Sequence, residues 1–187
     1  MQFRKLYKWI PAVMIMMLLF VFSSQPYQQQ SLKTDIEKSI TQHSVKERLS
    51  GFSFTYAGHE VSIQSLGIGG FIEFFIRKAA HFSIYGLLGM FVLYALNSGR
   101  RGRDFTLAVF ISFLYACSDE LHQAFTPDRT PMVQDVLLDT AGAVCGALVL
   151  ILFWRWRTGR KLAHKRGKGP LDNGRKEGGP SRASESR

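Results

Sequence analysis

Four stretches of this chain are almost wholly apolar, and the polar residues gather in the segments between them. The first stretch is "YKWIPAVMIMMLLFVFSS", Tyr7 to Ser24; the second, "AAHFSIYGLLGMFVLYAL", runs from Ala79 to Leu96 with one histidine and no formal charge. The third, "FTLAVFISFLYAC" from Phe105 to Cys117, reaches spanning length if its helix continues through Ala124, and the fourth, Val136 to Trp154, carries a single acid, Asp139. About 20 mainly apolar residues cross the hydrocarbon core of a bilayer as a helix. The pattern therefore predicts an all-α integral membrane protein with four transmembrane helices. It divides the chain into a first helix with a basic N-terminus (1–24), an extracytoplasmic segment (25–76), a core holding helices two to four (77–154) and a tail (155–187).

The long connection between the first two blocks has a pattern of its own. "FSFTYAGHEVSI", Phe52 to Ile63, alternates on both sides of Ala57-Gly58, as a β-hairpin does. "FIEFFIRKAAHF", Phe71 to Phe82, is apolar nearly all round apart from Glu73, Arg77 and Lys78, which suits an interfacial helix running into span two. Between Gln25 and Ser50 the chain is polar, with Ile36, Ile40 and Val45 spaced for the drier face of a surface helix. Past Trp154 the sequence is basic, rich in Gly and poor in apolar residues, a composition expected to stay disordered.

Charge orients the four helices. The formal net charge is +10, from 24 Lys plus Arg against 14 Asp plus Glu among 187 residues, and the tail from residue 155 supplies +8 of it. Arg4, Lys5 and Lys8, then Arg100, Arg101 and Arg103, then the tail all fall on one side of a four-helix arrangement. By the positive-inside rule that side is cytoplasmic, giving both termini inside. The basic start followed by an apolar run also opens a secretory signal, but no small-x-small pair follows Phe22, so the first block reads as a retained helix. The basic tail suits anionic inner-leaflet lipid. No nucleic-acid-binding pattern accompanies it. The two cysteines, Cys117 and Cys145, lie inside apolar blocks and form neither a disulfide framework nor a zinc motif.

With this topology the polar groups of all four helices meet at the outer membrane face. Lys78, His81 and Tyr85 share one helical stripe; Asp119, His122 and Gln123, with Glu120 beside them, form a second; Asp135 and Asp139 form a third. The loop "TPDRTP", Thr126 to Pro131, holds Arg129 over them. Such a cavity offers general acid or base work by His81 or His122, oriented by Asp119 or Asp135. Lys78 and Arg129 suit an anionic group such as a phosphate. Tyr85, Glu120, Gln123 and Asp139 are the remaining binding candidates. Asp, Glu and His in this mixture also accept a divalent cation, although no motif names one or any other cofactor. Plainer readings coexist: Asp119, Glu120 and His122 as a cap at headgroup level, Asp139 as a structural ion-pair partner, and Gly142 with Gly146 as a GxxxG packing motif. An acid inside a membrane helix is nonetheless a functional candidate by default.

These residues carry a resemblance. "FSSQP" after the first block, "RKAAHFSIYGLLG" at the second and "SDELHQAFTPDRTPMVQDVLLDTAGAVCG" across the third and fourth resemble the VanZ-like family of bacterial integral membrane proteins. That family is named for a component of a glycopeptide-resistance cluster associated with teicoplanin resistance. The likeness marks Lys78, His81, Phe82, Tyr85, Asp119, Glu120, His122, Gln123, Phe125, Arg129, Asp135, Asp139 and Gly142 as signature positions, with Asp139 standing where asparagine is also familiar. It implies a multi-pass protein of the bacterial plasma membrane. Teicoplanin-type drugs carry a lipid tail and bind the outward-facing peptide of a lipid-linked cell-wall precursor, so an outward polar cavity can meet either molecule. Three function classes follow. One is a binder of a lipid headgroup, lipid-linked precursor or lipoglycopeptide; another is a membrane-embedded hydrolase or transferase acting on such a lipid; the third is a scaffold or regulator of envelope proteins. The reaction, if any, and the oligomeric state are not encoded in these motifs.

Overall fold

The structure is a computed structural model that describes residues 6–26, 31–39, 51–127 and 129–167, with backbone alone at 39 and 161–167. A 3-10 turn at Tyr7–Trp9 leads into α1 (Ile10–Ser23), whose Pro11 lies in the first turn, where its missing N–H costs no hydrogen bond. The short α2 (Lys33–Ser39) precedes strands β1 (Ser53–Tyr56) and β2 (His59–Ser62), and three long helices follow: α3 (Ile63–Leu96), α4 (Arg101–Gln123) and α5 (Val133–Gly167).

β1 and β2 pair antiparallel, with Phe54 opposite Val61 and Tyr56 opposite His59. Their turn places Ala57 at φ 52° and Gly58 at φ 82°, the doubly left-handed geometry that matches strand twist in a two-residue hairpin. The hairpin docks on the first half of α3, where Val61, Ile63 and Phe71 form a small buried core flanked by Tyr56, Leu66 and Phe74. Ser62 caps α3 reciprocally with Ser65. One kink interrupts this helix at Gly67, whose φ of 70° and ψ of 168° suit only glycine. Beyond the kink α3 continues unbroken across residues 76 and 77, joining the interfacial stretch to the second apolar block. Over its 34 residues α3 is about 50 Å long, more than a bilayer core requires.

The surface helix expected between residues 25 and 50 is observed only as α2. Ile36 is half-buried there, while Ile40 and Val45 lie outside the described residues. α2 is held by Glu73, whose Oε2 accepts from Ser31 Oγ (3.0 Å) and the Leu32 N–H (3.2 Å), while Arg77 Nη2 donates to its Oε1 at 2.7 Å.

α1, α3, α4 and α5 bury polar and small residues and expose apolar ones. Ser112, Asp119, Glu120, Gln123 and Asp139 are buried, and Ala108, Ala116, Ala143 and Ala147 bring helix backbones close. Met14, Met17 and Phe20 of α1, Phe110 and Leu114 of α4, and Leu148, Val149 and Leu152 of α5 are exposed. Exposed apolar faces of this extent belong against lipid or another protein. Two described helices, α3 and residues Val133–Arg160 of α5, are long and apolar enough to cross a membrane; the helix over Tyr7–Ser23 is apolar but shorter.

A Cβ on Gly142 would lie 3.1 Å from the Phe82 Cα, and one on Gly146 2.9 Å from the Gly86 Cα, so the GxxxG pair is the contact surface of α5 against α3. The chain divides at Leu150. Within the second unit, Trp156 packs its ring beside Phe153 and carries the Arg160 guanidinium 4.0 Å from its centroid. The tail expected to be disordered from residue 155 is thus helical as far as Gly167. Arg and Lys are good helix formers, and Gly159 is the sole breaker in "RWRTGRKLAHKR". Residues 168–187 lie outside the described residues.

Candidate functional site

The polar stripes converge, but in layers. In the upper layer Lys78, at the middle of α3, forms an ion pair with Asp135 in the first turn of α5. Asp135 also accepts the Tyr56 hydroxyl at 2.6 Å, and the Lys78 ammonium sits 4.8 Å from the Tyr56 ring centroid and 5.4 Å from that of Phe74. Lys78 thus lies against two aromatic faces as well as a carboxylate, an arrangement that fixes a cation strongly. Partial burial, and next the hydrogen bond to Asp135, push the Tyr56 hydroxyl above the ordinary tyrosine range, so it stays a donor. The Glu120 carboxylate accepts the backbone N–H of Met132 and ties the α4–α5 loop to the end of α4.

Beside this layer lies a cavity of about 250 Å³. Its walls include four cationic residues, Lys33, Arg77, Lys78 and Arg129, and two acidic ones, Glu73 and Asp135. Arg129 reaches it from the loop, with Nη2 donating to the Gln25 carbonyl at 3.2 Å.

One helical turn further along each helix is the lower layer: His81 after Lys78, Asp119 before Gln123, and Asp139 after Asp135. His81 Nδ1 lies 3.4 Å from Asp139 Oδ2, and the ligand atoms of His81, Asp119 and Asp139 fall within 4.8 Å of one another. Asp119 and Asp139 are 5% and 3% exposed. Asp119 is oriented from α1 and from its own helix, by Ser23 Oγ at 2.5 Å and Gln123 Nε2 at 3.3 Å; Gln123 also donates to Ser23 Oγ at 3.0 Å. The buried Tyr85 ring stacks on His81 with centroids 6.4 Å apart and carries its hydroxyl toward the Asp119 charge. Among the described residues, Asp139 Oδ1 makes no hydrogen bond although it is shut away from solvent. One imidazole and two carboxylates are a donor set for a divalent cation.

His122 stands apart. It faces α1, with Nε2 3.0 Å from Ser24 Oγ and its ring 4.7 Å from that of Phe20. No hydrogen bond or ring contact joins it to His81 among the described residues. Of the candidates read from spacing, Lys78, Gln123, Arg129 and Asp135 line the cavity, His81, Asp119 and Asp139 meet beneath it, and Tyr85 and Glu120 border these groups. Phe125 is 82% exposed on the loop, and Asp128 lies outside the described residues. Sequence reasoning missed Lys33, Glu73 and Arg77 as cavity groups, and Tyr56 as the partner of Asp135 and Lys78. Glu73 and Arg77 had a signal, an i,i+4 charge pair within a nearly all-apolar helix. Tyr56 had none.

Residues 8–154 match the family model described as VanZ/LLP1. This chain belongs to the VanZ/LLP1 family. The match runs from α1 to the apolar part of α5, a range that contains every residue of both layers. No curated protein and no solved structure matches the chain.

Proposed function

We propose that this protein crosses the bacterial plasma membrane four times with both termini inside, and that its outward-facing cavity binds the phosphate-bearing headgroup of an envelope lipid or lipid-linked cell-wall precursor. The observation that carries this is the cavity wall, four cations against two acids, with Lys78 held between Asp135 and two aromatic rings. Guanidinium and ammonium groups together are the recognition chemistry of phosphate esters. Exposed Leu121, Phe125, Val133 and Leu137 surround the α4–α5 loop with apolar surface suited to the membrane interface. The four-helix topology is supported by the basic residues of the N-terminus, of positions 100–103 and of the tail, together with exposed apolar residues on α1, α3, α4 and α5.

Binding of a precursor here would sequester or reposition the molecule that lipoglycopeptides recognise, which is how such a site would alter susceptibility to them. A hydrolase or transferase acting on the same lipid is the second reading, favoured by the His81–Asp139 contact directly beneath the cavity. The test is binding of a fluorescent polyprenyl-phosphate-type lipid to the purified protein in nanodiscs. Lys78→Ala, and separately Arg129→Ala, should weaken binding roughly tenfold each, the loss of about 1.4 kcal/mol expected for one charge-assisted contact. Equal affinity for an uncharged-headgroup analogue would overturn the reading. Appearance of a cleaved product would replace binding by catalysis.

A further inference from the structure

The lower layer holds two carboxylates and an imidazole in a place where little else can balance them. Asp119 and Asp139 are nearly fully buried and come from different helices, and the one lysine nearby, Lys78, is engaged by Asp135. Uncompensated carboxylates in such surroundings carry a heavy desolvation cost. His81 can neutralise at most one charge. Asp139 Oδ1, without a hydrogen bond among the described residues and sealed from solvent, lies where a further group would complete the set.

We infer that His81, Asp119 and Asp139 are the protein ligands of a divalent first-row cation of the zinc or manganese kind. Three ligand atoms at about 2.0–2.2 Å from one ion stand roughly 3.0–3.6 Å apart. The His81–Asp139 pair is already at 3.4 Å, and the widest separation in the set, 4.8 Å, closes with side-chain movements of about 1 Å. The imidazole disfavours magnesium and calcium, and the two carboxylates with the ion give a neutral buried centre. Asp119 carries the outer support that metal sites require, since Ser23 and Gln123 donate to its two oxygens. Because each ligand is one turn from a cavity residue, about 5 Å along its helix, the ion lies at the cavity floor. An open coordination position would face whatever anion enters. The inference concerns the ion alone and stands whether or not the cavity takes a lipid.

The test uses the full-length protein in detergent, stripped with chelator and re-exposed to Zn²⁺ or Mn²⁺, with bound metal counted by mass spectrometry. One ion per chain is expected, and Asp139→Asn and His81→Ala should each weaken its binding roughly tenfold or more. His122→Ala, which alters a histidine that faces α1 and is not one of the three ligands, should bind like the parent. No ion on the parent, or equal losses in His122→Ala and His81→Ala, overturns the inference. Where the ligand variants fail to fold, pulsed EPR on the Mn²⁺-loaded parent decides: a directly bound imidazole nitrogen is expected, and a spectrum without one refutes the assignment.

Discussion

Replacing Gly146 with alanine tests the α3–α5 crossing that brings His81 and Asp139 together. Gly146 stands against the backbone of Gly86, and a Cβ there would lie 2.9 Å from the Gly86 Cα, with the Gly86 carbonyl nearer still. Carbon atoms pack at about 3.5–4.0 Å, so the methyl would overlap the facing backbone by ~0.6 Å or more. A mid-helix backbone cannot rotate aside as the end of a side chain does. The helices must part instead. Overpacking of this kind costs about 1–3 kcal/mol, the upper half of that range (~2–3 kcal/mol) applying against rigid backbone, and the higher helix propensity of alanine returns up to about 1 kcal/mol, leaving a net loss of roughly 1–2 kcal/mol. The assay is reversible SDS-driven unfolding in mixed micelles, with Gly102→Ala as control, because a Cβ at Gly102 meets nothing within 4 Å. Gly146→Ala should unfold at lower SDS fraction and Gly102→Ala at the parent value or above. A Gly146→Ala protein as stable as the parent would refute backbone contact at this crossing, and with it the reason the two ligand helices hold their spacing.

Two further outcomes follow from the ends of α4. Ser23→Ala removes the donor to Asp119 Oδ1 and the acceptor for Gln123 in a buried position, so it should cost about 1.5–3 kcal/mol in the same unfolding assay, the range for hydrogen bonds to a charged group; a change within ~0.5 kcal/mol would show that α1 is not held through this contact. At the other end, Asp104 accepts from Ser98 N at 2.7 Å and Ser98 Oγ at 2.6 Å, and these bonds, the hydroxyl's foremost, hold its carboxyl below the ordinary aspartate range. Its ionised form therefore contributes stability at pH values above about 4, and that contribution is lost as pH falls through the lowered value. The melting-temperature difference between parent and Asp104→Asn should be largest near neutral pH and shrink on acidification. A difference that grows toward low pH would reverse the assignment.

Much of this architecture is legible along the chain. The apolar blocks are long enough to be recognised without neighbours, because a helix satisfies its own backbone hydrogen bonds and its period needs no partner. The Ala57-Gly58 turn is local too, set by two left-handed residues between alternating runs. Stripes three and four residues apart were enough to place Lys78 with His81, and Asp135 with Asp139. The helical run from Arg155 to Gly167 was hidden because charge and glycine content read as disorder, whereas the Trp154–Lys165 stretch keeps good helix formers in register.

What only the tertiary structure decided is which stripe faces which. Helical period says that residues share a face, but the rotation of each helix about its axis is set by where backbones can approach, and here Gly86, Gly142 and Gly146 fix it for α3 and α5. That rotation carries Asp139 to His81 and Asp119 while Asp135 turns to Lys78. It also leaves His122 facing α1, though it is only three residues from Asp119. Tyr56 joins Asp135 from 79 residues away, a contact no local pattern can encode. The sequence supplied the charged groups and their helical spacing; the packing of small residues between helices sorted them into a cationic cavity and, one turn beneath it, the His81, Asp119 and Asp139 cluster.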